Sequence, residues 1–347
     1  MSKQKAKQDR IAKYLQNLNG GILFDELSDK YLKEAGVFEI LHGIPVPISA
    51  GVSDELTTLT IAFGMARVIG ADTNFKYKDS YIAYIKHIFG EEASKALIAE
   101  GAKYGQSENY DVAAMFFRAV LIFDPKSRDA LYLYGRACKD AYEQEDEDES
   151  YVGSFKAESL EVFELLTMIH PDFAMGYYFL GYGYANMGLY TKASLTWKSF
   201  IELTAASGDS EIEELRNEIS ERLETLEEPV KIEEGVNCVL SGDYLGGLEI
   251  LSRYKDGNYR DWWPLWFYMA VCAASLGEAE SAIDYYKQAL IYTPSNTDIM
   301  EELASVYTAI GDQVNASKYL NKIDIVNNNI EQEIYKDWEC NIFLDIH

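Results

Sequence analysis

Two stretches of this chain are written in almost the same order. DVAAMFFRAVLIFDP (Asp111–Pro125) and ESAIDYYKQALIYTP (Glu280–Pro294) both run from an acid through an alanine and a pair of aromatics to a basic residue. Each then has an apolar run, a polar residue and a proline. A chain that repeats a sentence of this length has little freedom in its architecture. Each copy must be one supersecondary unit, and it must hide its apolar face against the next copy rather than in a shared central core.

A common frame makes the period explicit. Counted from Ser94, the residues Leu97, Gly101, Tyr104, Ala113, Phe117, Val120 and Pro125 occupy places 4, 8, 11, 20, 24, 27 and 32. Counted from Trp263, Trp266, Ala270, Ala273, Ala282, Tyr286, Ala289 and Pro294 fall on the same places. Frames from Ala174 (Tyr177, Gly181, Tyr184, Ala193, Trp197, Phe200) and from Thr297 (Met300, Ala304, Tyr307, Ala316, Leu320, Ile323) repeat the pattern. Small residues at places 8 and 20 suit two helices of one hairpin crossing closely, and the larger apolar places fill the space between hairpins. Glycine at place 15 (Gly188, Gly242, Gly277, Gly311) lets the first helix, A, end. Proline near place 32 (Pro125, Pro171, Pro294) stops the second, B.

The unit from Arg128 keeps Leu131, Tyr134 and Gly135 in frame, but its closing Pro171 arrives twelve residues late. The surplus is placed around EQEDEDES (Glu143–Ser150), where a run of like charge reads as a solvated loop, with a cation site as the alternative. The unit near Glu228 carries Gly235, Gly242, Tyr244 and Leu251 in frame but lacks a late proline. Ahead of it, Ile212, Leu215, Ile219, Leu223 and Leu226 form a helical stripe, read as a spacer helix over 208–227.

This pattern resembles the tetratricopeptide repeat, whose period is about 34 residues and whose unit is two antiparallel helices. The resemblance covers roughly residues 94 to 328. It implies an all-α, right-handed superhelical solenoid with extra helices at both ends. The units are expected at 94–127, 128–173 and 174–207, then at 228–262, 263–296 and 297–330. In the N-terminal region (1–93), Leu23–His42, Ser53–Ile69 and Asp79–Phe89 are expected to be helical and Gly43–Ser49 extended, with a worn repeat over 57–90. Ile334, Trp338, Ile342 and Phe343 are expected to form a cap helix within 331–347.

In the family resembled, places 2, 5, 9, 12 and 13 of helix A face a concave groove that contacts peptides. Here they carry Tyr132 and Arg136, then Met175, Tyr178, Tyr182 and Asn186, then Ile232 and Val236, then Phe267 and Val271. Some relatives grip a chaperone's C-terminal carboxylate with a lysine, an asparagine and an arginine. Ile98 and Ala102 stand where the first two would be wanted, so that ligand class is rejected. An aromatic and aliphatic face suits an apolar or basic protein segment, with phenol hydroxyls supplying polar contacts.

Composition narrows the partner further. Fifty-seven acids against 31 bases give a formal charge of −26, which opposes binding to nucleic acid and to anionic membranes. The start of the chain has no apolar stretch of the kind a secretory signal needs, and Cys138, Cys238, Cys272 and Cys340 are scattered, as in a reducing cytoplasm. No GxxxxGK[ST], HExxH, GxSxG or GxGxxG motif occurs, and His42, His87, His170 and His347 lack ligand spacing, so no cofactor, metal or catalytic residue is expected. The reading is a non-enzymatic adaptor, scaffold or chaperone-like protein. Two alternatives are a homodimeric structural protein whose groove is filled by its own helices, and an enzyme with its site within 1–93.

Overall fold

The computed structural model describes residues 9–49, 57–145 and 147–344; for Ser49 and residues 329–344 the description extends to the backbone alone. The chain divides into two compact units, Met1–Glu221 and Arg222–His347.

The first unit opens with α1 (Ala12–Asn17), β1 (Ile22–Glu26), α2 (Asp29–Glu34), α3 (Phe38–Leu41) and β2 (Pro45–Ser49). Residues 23–42 are therefore not one helix. The Ser28 side chain starts α2 by accepting from the Tyr31 amide, and Gly36 at φ 70° ends it. β1 pairs antiparallel with β2 in the register Ile22 with Ser49 through Glu26 with Pro45. The segment around the two prolines is thus extended, and Pro47 packs on Gly64. The helix expected over Ser53–Ile69 appears as α4 (Thr58–Ala71), with residues 53–56 outside the described ones, and it opens on a reciprocal Thr57–Thr60 capping box. α5 (Lys78–Phe89) follows, and its Tyr81 hydroxyl donates to the Pro45 carbonyl at 2.7 Å.

Three hairpins follow, α6 (Ala93–Gln106) with α7 (Tyr110–Phe123), α8 (Arg128–Gln144) with α9 (Glu149–Ile169) and α10 (Ala174–Asn186) with α11 (Tyr190–Thr204). α12 (Ser210–Thr225) comes after them, and its residues up to Glu221 belong to this unit. The small residue at place 8 makes room for the large knob at place 24. A Cβ on Gly101 would lie 2.8 Å from the Phe117 ring, one on Gly135 2.8 Å from Phe163, and one on Gly181 2.2 Å from Trp197. α4 does not stack on α6 as a preceding repeat would. It packs against α7, so closely that a Gly70 Cβ would stand 1.9 Å from the Met115 carbonyl oxygen.

The twelve surplus residues are not a loop. They lengthen α8 to 17 residues and α9 to 21, against 14 in each of α6 and α7, and the two helices are joined by a short link around Glu145 and Asp148. The added turns of α9 have a partner. Tyr14 packs edge-on against Tyr151 and donates to Ser150, Arg10 reaches Glu158 and Glu161, and Asp9 pairs with the buried Arg118. Ile11 and Leu15 are fully buried. The insertion therefore clamps the chain's N-terminal segment.

The second unit holds α13 (Glu227–Leu240), α14 (Tyr244–Leu251), α15 (Trp263–Ser275), α16 (Ala279–Tyr292), α17 (Thr297–Ala309) and α18 (Gln313–Leu344). Gly242, Gly277 and Gly311 end helices A at φ 88°, 82° and 84°, and Gly188 does the same at 73° in the first unit. The first repeat has Glu108 at that place, with φ 60°. α18 runs without a break, so no separate cap helix forms. The side chains of Ile334, Trp338, Ile342 and Phe343 lie outside the described ones.

Candidate functional site

The A-helix residues singled out in the sequence divide between the two units. In the first, Tyr132 and Arg136 on α8 are one turn apart and hold each other. Arg136 Nη1 donates to the Tyr132 hydroxyl at 3.2 Å, its guanidinium lies 4.7 Å from the Phe179 ring centre, and Asp140 stands 3.6 Å away. Arg136 is a fixed part of an aromatic stack rather than a free cation. Met175 is half-buried on α10 and Asn186 is exposed at its end, where the Asn186 carbonyl accepts from Lys156 Nζ at 3.1 Å.

Tyr178 and Tyr182, also one turn apart on α10, are the centre of the site. Their rings meet edge-on at 5.2 Å, Tyr182 leans on Trp197 at 5.0 Å, and Trp197 Nε1 donates to the Tyr178 carbonyl at 3.1 Å. Both phenols point at one group. Tyr178 donates to Glu218 Oε2 at 3.0 Å, and Tyr182 donates to Glu218 Oε1. Burial, and then the bond to Glu218, push the Tyr182 phenol well up. Glu218 belongs to α12, so this face already holds a helix. The next residue, Ile219, is fully buried, and Arg216 Nη1 donates to the carbonyls of Thr204 (2.8 Å) and Ala205 (3.2 Å) at the end of α11. A cation there complements the negative end of α11.

In the second unit the placement is mixed. Ile232 is only 4% exposed and packs in a core with Val239, Leu251, Leu265, Met269 and Cys272, so in this structure it offers no surface to a partner. α13 lies against α15, and Ile232 fills the space between them. Val236 and Val271 are half-buried beside that core, and Phe267 is half-buried against Trp263, Tyr268 and Tyr286.

The structure also shows a cleft of about 500 Å³ that was not singled out in the sequence. Glu108, Tyr110, Asp111, Glu145 and Tyr151 line it. Tyr151 donates to Asp111 Oδ1 at 2.6 Å, and burial pushes the Asp111 carboxyl up despite that bond. Two signals were present: a glutamate where four of the other repeats use glycine, and the acidic run. Among the described residues no group of three or more His, Cys, Asp or Glu side chains is placed to hold a metal ion. Among the same residues, no helix is long and apolar enough to cross a membrane.

No family model matches the chain, and no curated protein matches it. Solved structures similar to it are tetratricopeptide-type arrays. MamA from Desulfovibrio magneticus RS-1 is 10% identical over 70% of this chain and 98% of its own, with a TM-score of 0.29. The TPR2AB domain of yeast Sti1, in a complex with pHSP90, is 14% identical over 70% of this chain and 94% of its own, at 0.32. YrrB, described as a TPR protein with an unusual peptide-binding site, is 12% identical over 64% and 97%, at 0.30. Scores this low carry no argument about role. The chain's own hairpins define the class: an all-α array of tetratricopeptide-like repeats.

Proposed function

We propose that the protein is a non-enzymatic adaptor or scaffold that holds a segment of a protein partner against the A-helix face around Tyr178 and Tyr182. One observation supports the reading: that face already meets a helix, α12, through both phenols. Tyr132, Arg136, Met175 and Asn186 lie on A helices of the same unit; taken by itself, the second unit has Val236, Phe267 and Val271 as half-buried A-helix positions. The charge of −26 favours a partner that is basic outside its apolar contacts, in a reducing compartment such as the cytoplasm. Affinity capture from lysate of the source cell tests this. Tyr178→Ala/Tyr182→Ala should lose the captured protein while keeping the circular dichroism of the wild type, and an unchanged capture profile rejects the assignment.

A second reading has its own observation. On α18, Val314, Leu320 and Ile325 are 81%, 50% and 59% exposed, which suits self-association through that helix. Sedimentation that shows a monomer at every concentration removes it.

A further inference from the structure

The way α12 sits shows what the tyrosine face selects. Two hydroxyls one turn apart donate to the two oxygens of a single carboxylate. A lysine or arginine in that place offers no acceptor and a glutamine only one uncharged oxygen, and charge-assisted bonds to a carboxylate are the stronger ones. One residue on, Ile219 is completely removed from solvent. Two residues back, Arg216 rests on the carbonyls that end α11. α12 thus shows three features in order: a cation on the end of α11, a carboxylate on the two phenols of α10 and a buried aliphatic side chain.

The rest of α12 is only partly built into the fold. Ile219 is its one fully buried residue, Ile212, Leu215 and Leu223 are half-buried, and Glu211, Glu213, Glu214, Asn217, Ser220 and Glu221 are exposed. A helix with one fully buried residue, a half-buried apolar stripe and its polar side in water is an occupant that another helix of the same pattern can replace.

Resting on the adaptor reading, we propose that α12 is an internal pseudo-ligand. The partner it mimics is an amphipathic helix carrying Arg or Lys, then a carboxylate two residues on, then an aliphatic residue. The segment that binds here is therefore selected for a carboxylate at its centre, even where the wider acidic surface favours basic flanks. Tethering makes α12 an intramolecular competitor. Its effective concentration, on the order of 1 mM, suppresses a free peptide of about 10 µM affinity by roughly a hundredfold.

The probe is a fluorescent peptide of residues 210–225, titrated into the full-length chain. Wild type should bind it about a hundredfold more weakly than the variant Glu218→Ala/Ile219→Asp, which empties the face. Adding Tyr178→Phe/Tyr182→Phe to the emptied variant should abolish binding, as should Gln for Glu218 in the peptide. Equal binding to wild type and emptied variant overturns the proposal, as does no binding to an emptied variant of native helicity. Should Ile219→Asp unfold the unit, hydrogen exchange on Tyr178→Phe/Tyr182→Phe alone decides. Faster exchange confined to α12 supports the latch, and unchanged exchange overturns it. Peptide binding to the emptied face, with no partner captured from lysate, leaves this inference standing and removes the adaptor reading alone.

Discussion

Replacing Gly70 by alanine tests the tightest helix crossing found at a glycine among the described residues. An added Cβ would stand 1.9 Å from the Met115 carbonyl oxygen, 2.6 Å from its carbon and 2.9 Å from its Cα. Normal carbon–oxygen contacts begin near 3.3 Å, so α4 must move off α7 by more than an ångström. Backbone atoms cannot rotate aside as a ring can. The interface that opens holds Ile61, Met65, Ile69 and Phe116, all buried, and a gap of that size forfeits roughly a quarter to a half of each dispersion contact. Overpacking of this kind costs about 1–3 kcal/mol. Alanine returns up to about 1 kcal/mol of helix propensity, which leaves a net loss of about 2 kcal/mol. With a urea m-value of about 3 kcal/mol/M, the midpoint should fall by roughly 0.7 M. Gly153 in α9 is the control, because nothing lies within 4 Å of its Cβ position. There the same change should stabilise by about 0.5–1 kcal/mol. A Gly70→Ala midpoint equal to or above wild type, followed by circular dichroism, would refute the crossing.

Glu108→Gly should raise the melting temperature by about 1–2 °C, because φ 60° costs a side chain about 1 kcal/mol that glycine avoids; a lower melting temperature contradicts the left-handed turn. Burial raises the Asp111 carboxyl, so the folded chain holds that proton to higher pH than the unfolded chain does. Stability from this group is present at low pH and falls as pH rises through the ordinary carboxylate range and above it. Asp111→Asn should flatten that part of the profile in urea titrations at stepped pH, and an identical profile opposes it. Burial pushes the Cys272 thiol up to about 11 and raises the Cys138 thiol well above its ordinary value. Ellman's reagent at pH 8 should therefore leave both unmodified until denaturant is added, and rapid native labelling of either would show that its hairpin opens.

Much of the repeat region was legible because its constraints are local and recur. Gly188, Gly242, Gly277 and Gly311 take the left-handed turn that place 15 requires. The small residues at place 8 were read as facing place 20, yet at Gly101, Gly135 and Gly181 the closest neighbour is the ring at place 24. Counting showed a surplus of twelve residues in the second repeat but not its form, because helices absorb insertions by adding turns. Ile22–Glu26 is apolar on both strand faces at its start, so period alone could not separate it from a helix. At the site, the repeat frame found Tyr178 and Tyr182, since helix-A geometry fixes which residues share a face. Glu218 could not be found that way, because its contact joins positions 40 and 36 residues away and depends on how α12 lies down. Ile232 obeys the frame and is still buried, because the frame fixes a direction on α13 and not what covers it.

The clamp on the N-terminal segment also sets an order of events during synthesis. Arg10 and its partner Glu161 are 151 residues apart. At about 5–20 residues per second, a ribosome needs on the order of ten seconds to make that span. Throughout that interval Arg10 and Tyr14 have no α9 to hold them, so this segment awaits a dock that is translated last in the repeat that holds it.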